Sequence, residues 1–330
     1  MVLLYNSLME EPFRVEIQDR DITFLLGLFE SRIMTLRQAA ALYFDGQNES
    51  AKKRIQKLKK AGFIAVRSRR VSEPAILSLT TSAFSYLRKN QLLTGYPKLS
   101  LSALEGRGQV SDLTIQHELQ VMDVKGALAA ALRENGRYTL TEFLTWPRLC
   151  EFFANRPDPK FGNTKVLVKP DGFIRIAEHE SGGGVLEYTF FLEVDRSTET
   201  LETLALRAAC YADYFRSGGL AIRNGQPKEA YKDFPFRLLI VCKTAERRNN
   251  TTERLLQLRP PILTLAWLTT IQEITKNALG KIWIRPADYQ CGTRGASYGD
   301  GKLYANSIYR RQTERDAFIA LKISKLTIFD

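Results

Sequence analysis

From Lys52 to Arg70 the chain carries nine basic side chains and no acidic one. A segment this charged folds only if its few apolar residues, Ala51, Ile55 and Leu58, gather on one helical face and leave the cations in water. Their i, i+4, i+7 spacing predicts a helix that begins near Asn48 and stops at Gly62. Clustered Lys and Arg neutralise phosphates and release condensed counterions, so nucleic acid is the first partner to consider. The plain alternative for such a run is a solvated helix face.

The neighbouring sequence supplies a context for that helix. Ile22, Leu25, Leu26 and Phe29 form one apolar stripe of a preceding helix, which Asp19 or Asp21 would cap. Thr35 and Gln38 have the spacing of a capping box, opening a second helix that ends at the Asp45-Gly46 turn. After Gly62 come an extended run at 63–66, a basic tip at Arg67, Arg69 and Arg70, and a second extended run at 75–79. Thr80 or Thr81 then caps a fourth helix through Phe84, Tyr86 and Leu87. Three helices followed by a hairpin-like wing is the layout of a winged helix-turn-helix over residues 1–95, whose third helix enters the major groove. The DNA-binding candidates are Lys52, Lys53, Arg54, Lys57, Lys60, Arg67, Arg69 and Arg70, with double-stranded DNA as partner. Many such modules dimerise on palindromes, so a homodimer is compatible.

At 330 residues the chain has room for a second, larger domain. The first 100 residues hold +7 of the net charge of +12, and an isoelectric point of about 9.5 suits a polyanionic partner. Cys150, Cys210, Cys242 and Cys291 show no paired spacing, which argues against a zinc knuckle or a disulfide framework and for a reducing cytosol. No run of 18 apolar residues occurs and the amino-terminal segment lacks the form of a signal peptide, so the expectation is a soluble, cytoplasmic protein with no membrane partner. Residues 96–110, with Pro97, Gly106 and Gly108, read as a linker.

The second domain, 111–291, opens with a helix at 112–134, followed by extended segments at 138–146, 165–177 and 185–195. A helix at 199–215, an apolar strand at 236–243, a helix around 251–258 and a strand at 262–268 follow. That order describes an α/β domain with a mixed sheet. Residues 292–330 form a basic extension, either a further DNA contact or a dimer arm.

Two strands of this domain carry acids. Lys169-Pro170-Asp171-Gly172 puts a carboxylate on the second, and Phe191-Leu192-Glu193-Val194-Asp195 puts two on one face at the end of the third. Asp171 and Glu193 share a face only if cross-strand partners sum to an even number: a turn centred on Gly183, or a bulge, satisfies this and a two-residue turn at Gly182-Gly183 does not. Convergent carboxylates are the hard oxygen ligands that Mg²⁺ prefers, whereas the simpler reading of Glu193 and Asp195 is a wet strand face.

Pro-Asp on one strand and Glu-x on the next resemble the PD-(D/E)XK, or restriction-endonuclease-like, nucleases, with Asp195 where those proteins carry a lysine. The wider string resembles the replication-relaxation family of plasmids and mobile elements. It comprises 117–124, 169–172, the Phe191 to Thr200 segment and Leu238 to Arg248. The resemblance implies a role at a replication or transfer origin, as in plasmid mobilisation relaxases that fuse a winged helix to a restriction-endonuclease-like domain. It also implies that Asp171 and Glu193 bind Mg²⁺ or Mn²⁺ if the site is active, with Asp195 a third ligand. Arg207 or Lys243 would stand in for the missing lysine. Each has a plainer role: Arg207 pairing with Glu199 or Glu202, Lys243 leaving the sheet into solvent.

His117 and His179 are the only histidines, so a three-histidine centre cannot form. A Gly-x-x-x-x-Gly-Lys-Ser/Thr loop is absent, which argues against a nucleotide cofactor. Tyr211 and Tyr214 could serve as phosphotyrosyl nucleophiles, although their helical position favours packing. Two readings remain: a DNA-binding initiator or regulator with a degenerate nuclease-like domain, and a metal-dependent DNA-nicking enzyme.

Overall fold

The structure, a computed structural model, describes residues 15–67, 73–100, 111–158, 162–180 and 182–293. Arg69, Arg70, much of the expected linker and nearly all of the carboxy-terminal extension lie outside the described residues. The chain divides into two units, 1–118 and 119–330.

In the first unit, α1 (Asp19–Ser31), β1 (Ile33–Thr35), α2 (Leu36–Tyr43) and α3 (Asn48–Lys60) precede β2 (Ile64–Val66), β3 (Ile76–Leu79) and α4 (Thr81–Lys89). The strands form an antiparallel sheet in the order β1-β3-β2, with Ile64 opposite Leu79 and Ile33 opposite Ser78. Sequence pattern missed β1, because three residues are too short to show a period of two. The capping box of α2 forms as expected, Thr35 N–H donating to Gln38 Oε1 at 2.8 Å and Gln38 N–H to Thr35 Oγ1 at 3.2 Å. Thr80 caps α4 through Ala83 N–H at 3.1 Å. Helix α3 buries Ala51, Ile55 and Leu58 and ends at Gly62, whose φ of +78° suits glycine.

The apolar face of α1 is rotated from the expected stripe. Leu25 and Phe29 are buried, but Phe24 and Leu28 join them while Ile22 and Leu26 are half-buried. The Phe24 ring selects this face, with centroids 5.6 Å from Tyr43 and 5.8 Å from Phe44. The unit's order of elements is compatible with the expected winged helix-turn-helix.

The second unit is built on a mixed five-stranded sheet. Helix α5 (Asp112–Asn135), within which the two units divide, leads to β4 (Tyr138–Leu144), β5 (Phe152–Asp158), β6 (Gly162–Val168), β7 (Gly172–His179) and β8 (Val185–Asp195). Then come α6 (Leu201–Arg216), α7 (Gly219–Arg223), a 3₁₀ turn at Lys228–Asp233, β9 (Arg237–Cys242), α8 (Ala245–Leu256), β10 (Ala266–Thr270), α9 (Ile271–Lys276) and α10 (Pro286–Thr293). The strand order is β10-β9-β8-β7-β4, with β8, β9 and β10 parallel and β7 antiparallel to both β8 and β4.

Both faces of this sheet are covered. Phe173, Phe191, Leu238 and Ile240 pack under α6 and α8, while Ile174, Phe190, Leu192 and Val241 pack with Val124, Leu128 and Leu132 of α5. The expected strand over 165–177 is two strands interrupted at Lys169-Pro170-Asp171: proline has no N–H to give a ladder. Its first half, β6, pairs instead with the unforeseen β5 in a separate two-stranded ribbon.

Candidate functional site

Strand β8 places the acids. From Phe190 onward every residue of this central strand is buried, so Glu193 is 2% and Asp195 8% exposed. The wet strand face expected as the plainer reading is therefore not present, because α6 and α8 cover it.

Opposite β8, Gly172 faces Leu192 and Phe173 faces Phe191, so the register continues to place Asp171 across from Glu193. His179 faces Val185 at the other end, which centres the turn on Gly182 rather than Gly183 and still gives the even sum. Asp171 N–H donates to Leu192 O at 2.9 Å, and Asp171 Oδ2 accepts Val194 N–H at 2.7 Å. The side chain thus takes up a backbone donor just where Pro170 ends regular pairing.

Helix α6, capped by Thr200 through Thr203 N–H at 3.1 Å, aims Arg207 and Tyr211 at Glu193 from successive turns. Arg207 Nη1 donates to Glu193 Oε2 at 3.1 Å, and its Nη2 to Glu199 Oε1 at 2.6 Å. Tyr211 OH donates to Glu193 Oε1 at 2.5 Å. Burial first, and then the charge of Asp171, push the Glu193 carboxyl up to about 7 against the opposing pull of Arg207 and Tyr211. Burial works against the Arg207 cation, but Glu193 and Glu199 outweigh it and hold the group above its ordinary value. Burial together with Glu193 raises the Tyr211 phenol well above its usual range, and burial raises Tyr214 to about 12. Both side chains are buried, as packing residues are.

Asp195, expected as a third metal ligand, is engaged elsewhere. Arg247 of α8 clamps it, Nε to Oδ2 at 2.6 Å and Nη2 to Oδ1 at 3.2 Å, and Ser197 N–H adds a bond to Oδ1 at 3.0 Å. Sequence reasoning assigned Arg247 no role, although it lies three residues after Thr244, which caps α8 through the Arg247 N–H at 3.1 Å. Lys243 is exposed beyond the end of β9 and has the parity of Leu239 and Val241, whose side chains pack on the face away from Glu193.

Two facing carboxylates supply part of what a hard divalent ion takes, but both oxygens of Glu193 and both of Asp195 already accept hydrogen bonds. Among the described residues no group of three or more His, Cys, Asp or Glu is assembled to hold a metal ion. As folded, these residues do not fit a divalent cation; the charge facing Glu193 is the guanidinium of Arg207.

In the first unit the exposed face of α3 carries Lys52, Lys53, Lys57 and Lys60. Arg54 departs from the expectation that it too points outward. Its Nε donates to Asp21 Oδ1 at 2.8 Å, its Nη2 bonds Asp21 Oδ2 and Glu16 O, and Asp21 is fully buried. Burial would raise the Asp21 carboxyl, but Arg54 and the Gln18 N–H hold it below its ordinary value. Arg67 is half-buried and donates to Asp112 at 3.0 Å.

The chain is thus a two-part protein: a small helical unit with a lysine-studded helix, and a mixed α/β unit with paired carboxylates at the end of its central strand. Residues 25–227 match the replication-relaxation family, and the chain belongs to that family. Among solved structures, the restriction endonuclease FokI is similar over 80% of this chain and 44% of its own, at 12% identity and a TM-score of 0.26. The chain therefore spans less than half of FokI's length. No curated protein matches it. No helix among the described residues is long and apolar enough to cross a membrane.

Proposed function

We propose that the chain is a DNA-binding protein acting at a replication or transfer origin of a plasmid or mobile element. In this reading its first unit is a winged helix-turn-helix that reads duplex DNA, and its second is a restriction-endonuclease-like domain that has lost metal-dependent cleavage. The observation that carries the reading is the exposed lysine face of α3, on a helix whose opposite face is fully engaged in the core. Family membership supports the origin, and the helix, three-strand, helix, strand order of the second unit's main sheet supports the nuclease-like ancestry. Arg207 and Arg247 support the loss of cleavage, since each already occupies oxygens of a carboxyl group that a metal would need.

Lys53→Glu combined with Lys57→Glu tests the reading. Each lost phosphate contact removes about 0.9 from the slope of log affinity against log salt, so the pair should flatten it by about 2 and weaken duplex binding, with the melting temperature unchanged. Arg54 is left out because it holds Asp21 in the core. Unaltered affinity and slope in a folded double variant would overturn the assignment.

A further inference from the structure

The β5–β6 ribbon is amphipathic in an unusual sense: both of its faces carry apolar residues, and only one is covered. On the inner face Phe152 lies opposite Val168 and Ala154 opposite Val166, and the Phe152 ring stacks on Tyr214 of α6 at 4.0 Å. On the outer face Phe153 lies opposite Leu167, and these side chains are 61% and 44% exposed. The next outward pair is Asn155 and Lys165, and the Lys165 ammonium sits 5.2 Å from the centre of the Phe153 ring. Lys165 is exposed and forms no ion pair among the described residues, whereas Arg156, opposite Thr164, has the parity of the covered face.

An exposed aromatic beside an exposed cation attracts a ligand that offers both a flat apolar face and negative charge. A single strand of DNA has both, since an unpaired base can stack on the ring while a phosphate meets Lys165. Duplex DNA keeps its bases stacked inside and offers the ring nothing. A protein partner needs roughly 800 Å² on each side, far more than one cross-strand apolar pair supplies. The chain also leaves β6 through Lys169 and Pro170 straight into Asp171, so the ribbon's root adjoins the acidic pair.

We infer that the outer face of the β5–β6 ribbon is a binding platform for single-stranded DNA, with Phe153 as the stacking surface and Lys165 as a phosphate contact. The inference rests on the reading that the chain acts on DNA, and adds that it holds an unpaired strand on the ribbon that leads into Asp171. Melted DNA at an origin would present such a strand.

The test is fluorescence anisotropy of the full chain with a labelled oligo-dT of about 20 nucleotides. Phe153→Ala should weaken binding about tenfold, as loss of one stacked base does. Lys165→Glu should weaken it and flatten the salt slope by about 0.7. Phe153→Trp should retain affinity, and its fluorescence should be quenched on binding, a signal that a merely structural role would not produce. Unchanged oligo-dT binding in both Phe153→Ala and Lys165→Glu overturns the proposal. So does a loss accompanied by a change in sedimentation, which would mark the ribbon as a contact between two copies. The Lys53→Glu, Lys57→Glu variant separates the two readings, because it should lose duplex affinity and keep oligo-dT affinity. If it keeps duplex affinity while the ribbon variants lose oligo-dT, the α3 assignment fails and the ribbon stands.

Discussion

Glu193 is held between opposing demands: burial and the facing Asp171 favour its neutral form, while Arg207 and Tyr211 favour the carboxylate. The first pair prevails, so the folded chain binds this proton more tightly than the unfolded chain, near pH 7 against an ordinary 4.5. Stability from this proton is fully present below about pH 4.5 and is lost as the pH rises through about 7. Glu193→Gln keeps the shape and one acceptor oxygen for Arg207, turns an N–H toward the Tyr211 oxygen, and removes the titration. The urea midpoint of the wild type should therefore fall more between pH 5 and pH 8 than that of the variant. Equal falls in both would mean that Glu193 does not carry the effect. At this scale the identity of the acids was legible in the motif, but their partners were not. Nothing local says that Arg207 reaches Glu193 as well as Glu199, or that Arg54 turns inward to Asp21, because each bond joins elements brought together by packing.

Elements divide along the same line. Helices α2, α3 and α4 follow from caps and spacing that are local: Thr35, Thr80 and the Ala51, Ile55, Leu58 stripe act within a few residues of themselves. The ribbon's pairing does not follow from local pattern, because Phe152 and Phe153 on β5, and Val166, Leu167 and Val168 on β6, are apolar on both faces and blur the period of two. Only α6, by covering Phe152, distinguishes the inner face from the outer. Phe152→Ala should cost about 3–5 kcal/mol, the usual loss for a buried aromatic, whereas Phe153→Ala should stay within about 0.5 kcal/mol of wild type. Chemical denaturation of the two variants side by side checks this. Equal losses would mean that Phe153 is packed rather than free to stack.

Across the whole chain, the net charge of +12 is concentrated toward the amino end, where the lysine face of α3 stands, while the carboxylates of the acidic centre are matched by the chain's own arginines. The expected consequence is a protein that retards supercoiled plasmid on a gel in Mg²⁺ or Mn²⁺ without converting it to open circle. Nicking that depends on metal and disappears in Asp171→Ala and Glu193→Ala would instead establish the enzyme and require Arg207 to leave Glu193. What could be read along the chain was set by short-range physics: helix stripes, caps, the basic run, and the alternation that put Glu193 and Asp195 on one side of their strand. What emerged on folding was long-range. Coverage of both sheet faces buried those acids, the register across the Gly182 turn set Asp171 opposite Glu193, and arginines from two later helices closed around the carboxylates. Side-chain period is a property of one strand, whereas burial and charge pairing depend on which distant segment lies on top of it.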